Sequence, residues 1–500
     1  MSEDDSAVFD TQMVQKLRSI EERGVNPYPY RFDKKDAISG ICERFAEIGH
    51  DKSIETVVTA GRVFIRRDHG KTIFADIGDD TGRIQVYIRK NDIGDDAFSF
   101  FSLFIERGDF IGVKGNVFRT RLGELTIWAE EITLLSKSIA MLPEKFHGLK
   151  DTEKRYRQRY IDLIVNDQVK SSFRTRSRVI SMIRQFLDGN GFLEFETPVL
   201  QPVYGGANAR PFTTHHHFLD QKYFLRIAPE LYLKRLVVGG FEKVYEIARN
   251  FRNEDIDSDH NPEFTMVELY WAYRDYNDMM DLTEELITSI IERLNNGSTT
   301  IPFGEREISF KKPWKRISME DVVKEYTGIE VLSHSPAELK TIGFEKGLIE
   351  FETLTTVREF LVLIFEQLVE QELTEPTFVY DFPVENSPLA KKHRVKEGFT
   401  ERFELFINGF ELANGFSELN DAIDQMERFQ KQEERRKHGD AEAQMYDRDF
   451  VTALAYGMPP TGGVGIGIDR LLMLLTNNQS IKEVILFPQM KKEPVIHHSE

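Results

Sequence analysis

Hydrophobic and polar residues alternate along residues 53–137, where short β-branched runs are separated by turn-forming pairs such as His69-Gly70 and Leu122-Gly123. Alternation of this kind predicts strands with one buried face. A segment with helical spacing, Asp96 to Ile105, lies between the third and fourth runs. The five predicted strands are Glu55 to Phe64, Thr72 to Ile77, Arg83 to Ile88, Asp109 to Phe118 and Leu125 to Leu134.

The order of these elements indicates the kind of β domain. Five strands with a helix after the third is the pattern of an OB-fold barrel. Another small β-barrel or a meander would give the same strand count, so these alternatives stay open from the pattern alone. We place the all-β domain at residues 53–140, after a helical lead-in at residues 1–52 in which Val14 to Ile20 has helical spacing.

The pattern changes after residue 140. Residues 141–170 include the basic run Lys154 to Tyr160 and are interpreted as a hinge. Residues 171–490 mix helices with strands joined by short turns, which indicates an antiparallel sheet and an α+β fold; residues 491–500 form a polar tail. The predicted elements are strands at Phe192 to Glu196, Tyr223 to Ile227, Phe241 to Ile247, Phe264 to Tyr273, Phe403 to Ile407 and Phe410 to Ala413, and helices at Phe173 to Asp188, 277–294, 318–326 and 357–372.

The composition is that of a large enzyme with several domains. Of its 500 residues, 40% are hydrophobic, which is enough material for sizeable cores. The single cysteine excludes a disulfide framework and points to a reducing compartment. The sequence has no apolar run of about 18 residues and no signal peptide, so we expect a cytoplasmic protein without a membrane segment.

The net charge of −18 argues at first sight against a nucleic-acid partner. Whole-chain charge sets solubility, however, while contact with RNA needs only a local basic face. We predict such a face within the β domain, although a solvated sheet edge would carry the same charges. Its residues are Arg62, Arg66, Arg67, Lys71, Arg83, Arg89 and Lys90.

Two arginines that are far apart in the chain each stand in a context suited to a nucleotide phosphate. Arg252 lies in the run Arg249 to Glu254. Arg470 follows a glycine-rich run and stands at the start of a predicted helix, whose N-terminal dipole favours phosphate. A dinucleotide-binding fingerprint fails here, because its third glycine would fall on Ile468. The glycines more plausibly allow a strand and a helix to pack closely beneath a nucleotide.

The two stretches resemble motifs 2 and 3 of the class II aminoacyl-tRNA synthetases. The resemblance implies that an amino acid is activated with ATP, a reaction in which a carboxylate must approach a phosphate of like charge. Arg252 is expected to hold both anions with its planar fork. Phe264 is expected to stack on adenine, with Arg470 on the other face, and both arginines are assigned as catalytic. The predicted ATP-binding residues are Arg252, Glu254, His260, Phe264 and Arg470.

A pair of glutamates flanks the turn Asn408-Gly409. Phosphoryl chemistry of this kind uses Mg²⁺ held by few carboxylates and by substrate oxygens, and a hairpin can bring Glu404 and Glu411 near one point. By spacing alone, two such glutamates are usually just solvated. The resemblance implies the metal, because class II enzymes carry two metal-binding glutamates just before the segment that here begins at Asn414.

Carboxylates on the expected active face indicate a cationic amino-acid substrate. A semi-enclosed cation needs an anionic partner, whereas aspartate or asparagine would need a cation or amide donors. Glu268, Glu418 and Tyr270 are candidates for the ε-ammonium of lysine and Glu230 for the α-amino group; the alternative is that one of these glutamates pairs with an arginine such as Arg226. The predicted lysine-binding residues are Glu230, Glu268, Tyr270, Asn414, Phe416 and Glu418.

From about Leu17 to Met490 the chain resembles the class II lysyl-tRNA synthetases. The family implies an antiparallel-sheet class II synthetase catalytic domain, an all-β OB-fold barrel before it that binds the anticodon, and a homodimer built around motif 1 at Thr197-Pro198. The implied partners are tRNA(Lys), L-lysine and ATP, with Mg²⁺ as cofactor. The stretches that carry the resemblance include Phe146 to Leu149, Arg155 to Tyr160, Gly205 to Phe212, Asn414 to Asn420 and Phe487-Pro488. The implied anticodon contacts are Arg67, Phe74, Gln85 and Glu124.

The resemblance implies activation of L-lysine to lysyl-adenylate and transfer of the lysyl group to the 3′ end of tRNA(Lys), with release of AMP and pyrophosphate.

The chain departs from the family pattern at Asp259, where many members have Arg or Thr. A carboxylate at this position should repel a γ-phosphate. The pocket glutamates argue against an aspartyl- or asparaginyl-tRNA synthetase. The complete β domain argues against a paralogue that lysylates a protein instead of tRNA. A nucleic-acid-binding or scaffold protein with an inactive core is opposed by the retained arginines and metal-binding glutamates.

Overall fold

The computed structural model describes residues 9–143 and 149–492. The described residues form two compact units, which divide between residues 148 and 149. Predictions that fall on residues 1–8, 144–148 and 493–500 lie outside the described residues; these are the start of the lead-in, most of the stretch Phe146 to Leu149 and most of the polar tail. Within the described ranges, no helix is both long and apolar enough to cross a membrane.

The first unit contains a closed barrel of five strands, as the alternating pattern predicted. Its strands are β1 (Thr56–His69), β2 (Thr72–Gly78), β3 (Arg83–Arg89), β4 (Phe110–Arg119) and β5 (Leu125–Ser136). They pair in the order β1-β2-β3-β5-β4, and the pairs are antiparallel except β3 with β5. The helices of this unit are α1 (Thr11–Glu22), α2 (Ile38–Arg44), α3 (Lys90–Ile93) and α4 (Asp95–Phe104).

Alternate side chains of the barrel strands fill its interior. In β2, Ile73, Ala75 and Ile77 are buried, whereas Phe74 lies on the outer face. Phe101 of α4 joins the same core. The barrel with a helix between its third and fourth strands has the OB-fold arrangement.

An eight-stranded sheet organises the second unit. The strands of this unit are β6 (Leu193–Glu194), β7 (Leu200–Gln201), β8 (Thr213–His216), β9 (Gln221–Leu225), β10 (Lys243–Phe251), β11 (Glu263–Ala272), β12 (Thr300–Phe303), β13 (Arg306–Ser309), β14 (Lys315–Ser318), β15 (Thr377–Pro383), β16 (Phe399–Ile407), β17 (Phe410–Ser417) and β18 (Thr461–Gly467). The large sheet has the order β14-β15-β16-β17-β18-β11-β10-β6. It is antiparallel except at its two ends, where β14 runs parallel to β15 and β6 to β10. The remaining strands form the small sheets β7-β9-β8 and β12-β13.

Helices lie on both faces of the large sheet, since α8, α13 and α14 share a second core with Val244 and Tyr270. The helices of this unit are α5 (Thr152–Arg157), α6 (Arg159–Val165), α7 (Asp167–Gly189), α8 (Glu230–Val238), α9 (Tyr276–Leu294), α10 (Met319–Thr327), α11 (Pro336–Lys346), α12 (Val357–Leu368), α13 (Ala422–Lys437), α14 (Arg448–Ala455), α15 (Ile468–Leu475) and α16 (Ile481–Val484). Short 3₁₀ turns lie at Val331–Ser333, Phe351–Thr353, Glu370–Glu372 and Val384–Asn386. Helices α7, α9 and α15 share the main core with the sheet. Because successive strand side chains point to opposite faces, Val267 and Leu269 of β11 enter this core while Glu268 and Tyr270 point away from it.

The predicted elements of this unit are present with shifted bounds. The helix predicted at Phe173 to Asp188 begins at Asp167, one turn and a half earlier. The strand predicted at Phe192 to Glu196 is only two residues long, because just Leu193 and Glu194 pair with β10. The helix predicted at 357–372 ends at Leu368. The sequence does not predict helices α8, α11, α13, α14 and α16 or strands β7, β8 and β12 to β15.

Helices occupy residues 152–157, 159–165 and the last part of the range 141–170 that is predicted as a hinge. From Thr152 the chain forms α5 and α6 of the second unit, and the fully buried Arg159 side chain pairs with Asp162 at 2.5 Å. Arg155 makes a bidentate pair with Glu483, with both distances 2.9 Å. The basic run therefore anchors α5 and α6 to the C-terminal part of the same unit.

Candidate active site

A cavity of about 430 Å³ lies on the face of the large sheet opposite the main core. Strands β11, β16, β17 and β18 and the N-terminal ends of α8 and α15 contribute to its walls. The structure brings every residue predicted for catalysis, ATP, lysine or metal binding to this one cavity. These residues are Glu230, Arg252, Glu254, His260, Phe264, Glu268, Tyr270, Glu404, Glu411, Asn414, Phe416, Glu418 and Arg470.

The hairpin of β10 and β11 positions Arg252. Its backbone N–H donates to Pro262 O at 2.9 Å, which extends the pairing just beyond the strands. The guanidinium carbon lies 5.0 Å from the centre of the Phe264 ring, a cation–π contact. Arg252 Nε is buried and has no hydrogen-bond partner among the described residues. Burial lowers the pKa of Arg252, and the nearby Glu254 opposes this shift. The side chain is thus a cation with unused donor capacity that faces the cavity.

The loop between β10 and β11 is ordered by one aspartate. Asp257 Oδ1 accepts hydrogen bonds from the backbone N–H groups of Asp259 and His260, at 2.7 and 2.6 Å. The ring of His260 pairs with Asp257 at 2.9 Å, and its Nε2 lies 3.4 Å from Arg470 Nη2. Asp259 lines the cavity and accepts a hydrogen bond from Ser258 Oγ. The acidic residues of this loop therefore shape it, and they place His260 beside Arg470.

Arg470 stands in the first turn of α15, as predicted. The helix follows β18 directly, and Asp469 ties the junction to β11 by accepting from the Thr265 backbone N–H at 2.6 Å. Arg470 Nη1 donates to the Glu411 carbonyl oxygen and lies 3.9 Å from its carboxylate. Arg470 is thereby held between the loop that carries His260 and the hairpin of β16 and β17.

The glycines of β18 make room for side chains of the neighbouring strands. A Cβ atom on Gly463 would lie 2.0 Å from Glu418 Oε1, and one on Gly465 would lie 2.6 Å from Met266 Cε. The sequence interpretation, close packing of a strand against a helix, does not describe these two glycines. Gly463 and Gly465 leave space for groups from β11 and from the residue after β17.

The two predicted metal ligands share one amide. Asn414 Nδ2 lies 3.0 Å from Glu404 Oε1 and 3.2 Å from Glu411 Oε1, on either side of the turn at Asn408-Gly409. Arg402 pairs with Glu404 at 2.5 Å. Burial and then the facing Glu411 carboxylate raise the pKa of Glu404 to about 8. In the described part of the chain, no group of three or more metal-ligating side chains occurs. Two hard oxygen donors with mutual repulsion fit Mg²⁺, which takes few protein carboxylates and completes its shell with water and phosphate oxygens.

The carboxylates predicted for lysine cluster at the other side of the cavity. Glu268 is 4% exposed and accepts from the Tyr270 hydroxyl at 3.1 Å. Burial, and next the Glu230 carboxylate, raise the pKa of Glu268 to about 8. Glu418 is 1% exposed. The cluster therefore places several carboxyl groups in a dry setting, where an ionised carboxylate would bind an ammonium group tightly.

The alternative pairing of these glutamates with arginines is not what the structure shows. Arg226 pairs with Glu246 at 2.6 Å, and Arg249 pairs with Glu263 at 3.2 Å. Two of the pocket glutamates instead contact a residue that the sequence reasoning missed, Lys234 on α8. Its position four residues after Glu230 was a signal, since residues so spaced share a helix face.

Two models of known protein families match the chain. The model of class II tRNA synthetases (D, K and N) matches residues 151–491, and an OB-fold nucleic acid binding domain matches residues 57–135. The chain belongs to the class II tRNA synthetases. This family and the OB-fold domain before it confirm the predicted fold class.

Relatives within the class II tRNA synthetases resemble this chain over nearly its whole length. The lysine–tRNA ligase of Methanoculleus marisnigri is 61% identical over 98% of this chain and 96% of its own. The lysine–tRNA ligase of Methanospirillum hungatei is 61% identical over 99% of this chain and 97% of its own. That of Carboxydothermus hydrogenoformans is 52% identical over 96% of this chain and 97% of its own.

The anticodon residues implied for this class II tRNA synthetase lie together on the barrel. Arg67 and Phe74 are cross-strand partners on β1 and β2. Gln85 Nε2 donates to Glu124 Oε2 at 3.0 Å, and the ring centres of Phe74 and Tyr87 are 4.9 Å apart. Phe74 is half-buried on the outer face, so it is not part of the barrel core. Arg67, Phe74 and Glu124 are at least partly exposed, whereas Gln85 is buried beside them at 6% exposure and also accepts from Thr126 Oγ1 at 3.0 Å.

Several arginines of the basic face predicted on this barrel are engaged in contacts within the barrel. Arg66 donates to the carbonyl oxygen of Ser102 at 2.7 Å, and its side chain is only 13% exposed. Arg62 donates to Gly108 O at 2.8 Å, and Arg67 pairs with Asp76 at 3.0 Å. These cations hold the barrel together as well as adding surface charge.

Proposed function

We propose that this class II tRNA synthetase is a lysine–tRNA ligase. The observation that carries the proposal is that one cavity holds two groups of side chains: the neighbouring carboxyl groups of Glu230, Glu268 and Glu418, and the neighbouring cations Arg252 and Arg470. The carboxyl groups suit the two ammonium groups of L-lysine, and the cations suit its carboxylate together with ATP. The names of the relatives point to the same reaction.

In the first step, the lysine carboxylate attacks the α-phosphate of ATP and pyrophosphate leaves. Arg252 would bridge the two anions, because its planar fork can donate to an oxygen of each and its Nε has no competing partner among the described residues. Arg470 would contact the leaving phosphates from the N-terminal turn of α15, where the helix dipole adds to its charge. Phe264 would stack on the adenine.

Magnesium would be held by Glu404 and Glu411. When bound, the ion supplies positive charge to the phosphate oxygens and relieves the repulsion that raises the pKa of Glu404. Asn414 would orient both carboxylates through its shared amide.

In the second step, a terminal ribose hydroxyl of tRNA(Lys) attacks the lysyl carbonyl and AMP leaves. We assign no side chain as general base, so the contribution of the protein is positioning and charge stabilisation. Arg67, Phe74, Gln85 and Glu124 would read the anticodon, with Phe74 as a stacking platform and Gln85 as an edge reader. The proposed reaction places the protein in the cytoplasm, where its tRNA product is used.

A homodimer is part of the proposal. Apolar side chains around motif 1 are exposed, among them Leu193 at 52%, Leu200 at 49% and Phe218 at 92%. A second copy would cover them, as expected for an exposed apolar patch. Sedimentation analysis should give twice the mass of the chain, and a monomer at micromolar concentration would contradict the dimer.

The first experiment is ATP–pyrophosphate exchange with each proteinogenic amino acid, with Mg²⁺ and without tRNA. Exchange with lysine and with no other amino acid is expected. Exchange with aspartate or asparagine would overturn the assignment of the glutamates. If no amino acid supports exchange, repeating the assay with tRNA distinguishes an enzyme that activates only on its tRNA from an inactive core.

A further inference from the structure

A fully buried lysine lies behind the proposed lysine pocket. Lys234, on the second turn of α8, has no exposed side-chain surface. Its Nζ is 2.5 Å from Glu230 Oε1 and also contacts Glu418 Oε2, which belongs to the segment after β17. The rings of Tyr270 and Phe416 lie 5.9 and 5.2 Å from the ammonium. Lys234 thus joins two of the residues assigned to substrate from behind the cavity wall.

Burial of the Lys234 ammonium is energetically unfavourable if its only role is to fill space. Transfer of a charge out of water is unfavourable, and a buried ion pair is often no more stabilising than well-packed apolar residues of similar volume. A methionine at position 234 would fit a purely structural role at least as well. The cation therefore calls for a reason connected with the two carboxylates that it contacts.

The charges of the pocket supply that reason. Glu230, Glu268 and Glu418 bring three negative charges when ionised, and Lys234 brings one positive charge, which leaves two negative charges. L-lysine carries two ammonium groups, and its carboxylate is assigned to Arg252. With Lys234 present, bound substrate and pocket are neutral together; without it, one buried carboxylate would lack a partner.

We propose that Lys234 is a positioning and specificity-determining residue for lysine: it holds the Glu230 and Glu418 carboxylates in place and sets the charge of the pocket to match the two ammonium groups of the substrate. This inference rests on the proposed function. Lys234 is not expected to touch the substrate; it acts through Glu230 and Glu418.

One carboxylate oxygen of Glu418 agrees with this role. Oε2 contacts Lys234, whereas Oε1 has no hydrogen-bond partner among the described residues. Oε1 is therefore left to accept from a substrate ammonium. Gly463 leaves room for Glu418 Oε1, since a Cβ there would be 2.0 Å away. The carboxylate is thus fixed from one side by Lys234 and given space on another.

The protonation of the pocket depends on the same contacts. Burial raises the pKa of Glu230 and of Glu418, and Lys234 lowers both. Burial lowers the pKa of Lys234, but the two carboxylates raise it more, so it remains an ammonium. The other titratable and charged groups facing this cluster are Glu268 and Tyr270 on β11 and Arg402 on β16. Removal of the Lys234 charge should leave glutamates that hold protons near neutral pH and bind no ammonium.

The test is Lys234→Met, compared with Lys324→Met as a matched control. Lys324 is an exposed residue of α10 that pairs with Glu330, outside the cavity. In ATP–pyrophosphate exchange, the KM for lysine of Lys234→Met should rise by about thirtyfold or more, the size expected when one partner of a buried charge pair is removed. The KM for ATP should change little. The loss should shrink as the pH is raised from about 7 to about 9, because the glutamates then ionise without help.

An unchanged KM for lysine would overturn the proposal, as would a rise that is equal at every pH, because a merely structural defect has no reason to follow carboxylate ionisation. If Lys234→Met does not fold, Glu418→Gln is compared with the double variant Lys234→Met/Glu418→Gln, which removes both charges of a buried pair. The double variant should have the higher KM for lysine, since Glu230 also loses its partner. Equal values would overturn the proposal.

The wild-type protein separates this inference from the proposed function. Failure of the wild-type protein to activate lysine refutes the proposed function. Activation by the wild-type protein, with variants that behave like it at every pH, refutes only the role of Lys234.

Discussion

Gly463 makes the space in which the Glu418 carboxylate lies. A Cβ atom at position 463 would be 2.0 Å from Glu418 Oε1 and 2.6 Å from Tyr270 Cε1. The glycine pairs with Tyr270 on β11 and with Phe416 on β17, so it lies at the centre of the sheet beneath the proposed ammonium site. Space, and not backbone freedom, explains the glycine here, because its φ lies outside the left-handed region.

Gly463→Ala should therefore impair lysine binding without adding or removing a charge. The new methyl group must displace Glu418 or Tyr270, since a contact of 2.0 Å is far inside van der Waals distance. We expect the KM for lysine to rise by about tenfold or more, with a smaller effect on the KM for ATP, as measured by ATP–pyrophosphate exchange. Gly189→Ala, at the end of α7 where a Cβ meets nothing within 4 Å and the backbone is not left-handed, controls for loss of glycine. Equal effects of the two substitutions on lysine binding would contradict this account.

Arg252→Ala should abolish most activation of the amino acid. The residue is assigned to the charge that develops between carboxylate and phosphate, and loss of one such donor costs about a hundredfold to a thousandfold in rate. Arg249→Ala is the matched control, because Arg249 lies three residues earlier and its exposed side chain pairs with Glu263. Exchange rates and urea unfolding should be measured on both variants. A near-normal rate for Arg252→Ala in a folded protein would refute the assignment.

Stability should depend on pH through Glu268. Burial and the Glu230 carboxylate raise its pKa to about 8 in the folded protein, from an ordinary value of 4.5. The folded state thus holds this proton more tightly than the unfolded state, so the contribution to the free energy of unfolding is complete below 4.5 and is lost as the pH rises to about 8. Urea unfolding without substrate should show a smaller decline over this range for Glu268→Gln, which cannot ionise. Parallel declines in the variant and the wild-type protein would contradict the raised pKa.

Substitution of the proposed metal ligands should change the requirement for Mg²⁺. Glu404→Gln and Glu411→Gln each remove one charged oxygen donor, so a higher Mg²⁺ concentration should be needed for half-maximal exchange, by about tenfold or more. Glu375→Gln, outside the cavity lining, is the control. Titration of exchange activity with MgCl₂ measures the effect. If the glutamate variants lose activity with the same Mg²⁺ dependence as the wild-type protein, these residues are not the ligands.

The sequence was most informative where chemistry and local pattern agree. In the barrel, each predicted strand overlaps an observed one. The reason is that every second residue of a half-buried strand is apolar and faces the core, which gives a recognisable alternation in the sequence. The sequence also identifies cavity residues such as Arg252, Glu404 and Glu418. Each lies in a short motif that can be recognised without knowledge of the tertiary structure.

Tertiary contacts explain what the sequence did not reveal. Arg159 belongs to a basic run that suggested a solvated hinge, yet it is buried against Asp162. Neither α8 nor a role for Lys234 is predicted from the sequence, because its two carboxylate partners meet it only where α8 contacts the segment after β17. In both cases a buried ion pair overrode the ordinary preference of a charged residue for water.

Phe74 supplies a prediction for the barrel that is independent of the catalytic cavity. Its ring is half-buried on the outer face and lies 4.9 Å from Tyr87, so it offers a fixed platform for a splayed base. Loss of one base–aromatic stack costs about 1–3 kcal/mol, so Phe74→Ala should lower kcat/KM for tRNA(Lys) by roughly tenfold. ATP–pyrophosphate exchange with lysine should remain at the wild-type rate, since that step needs no anticodon. Leu103→Ala, on α4 of the same unit and 53% exposed, is the control. A Phe74→Ala protein that charges tRNA(Lys) normally would remove Phe74 from the anticodon site, whereas equal losses in exchange and charging would point to a defect of folding.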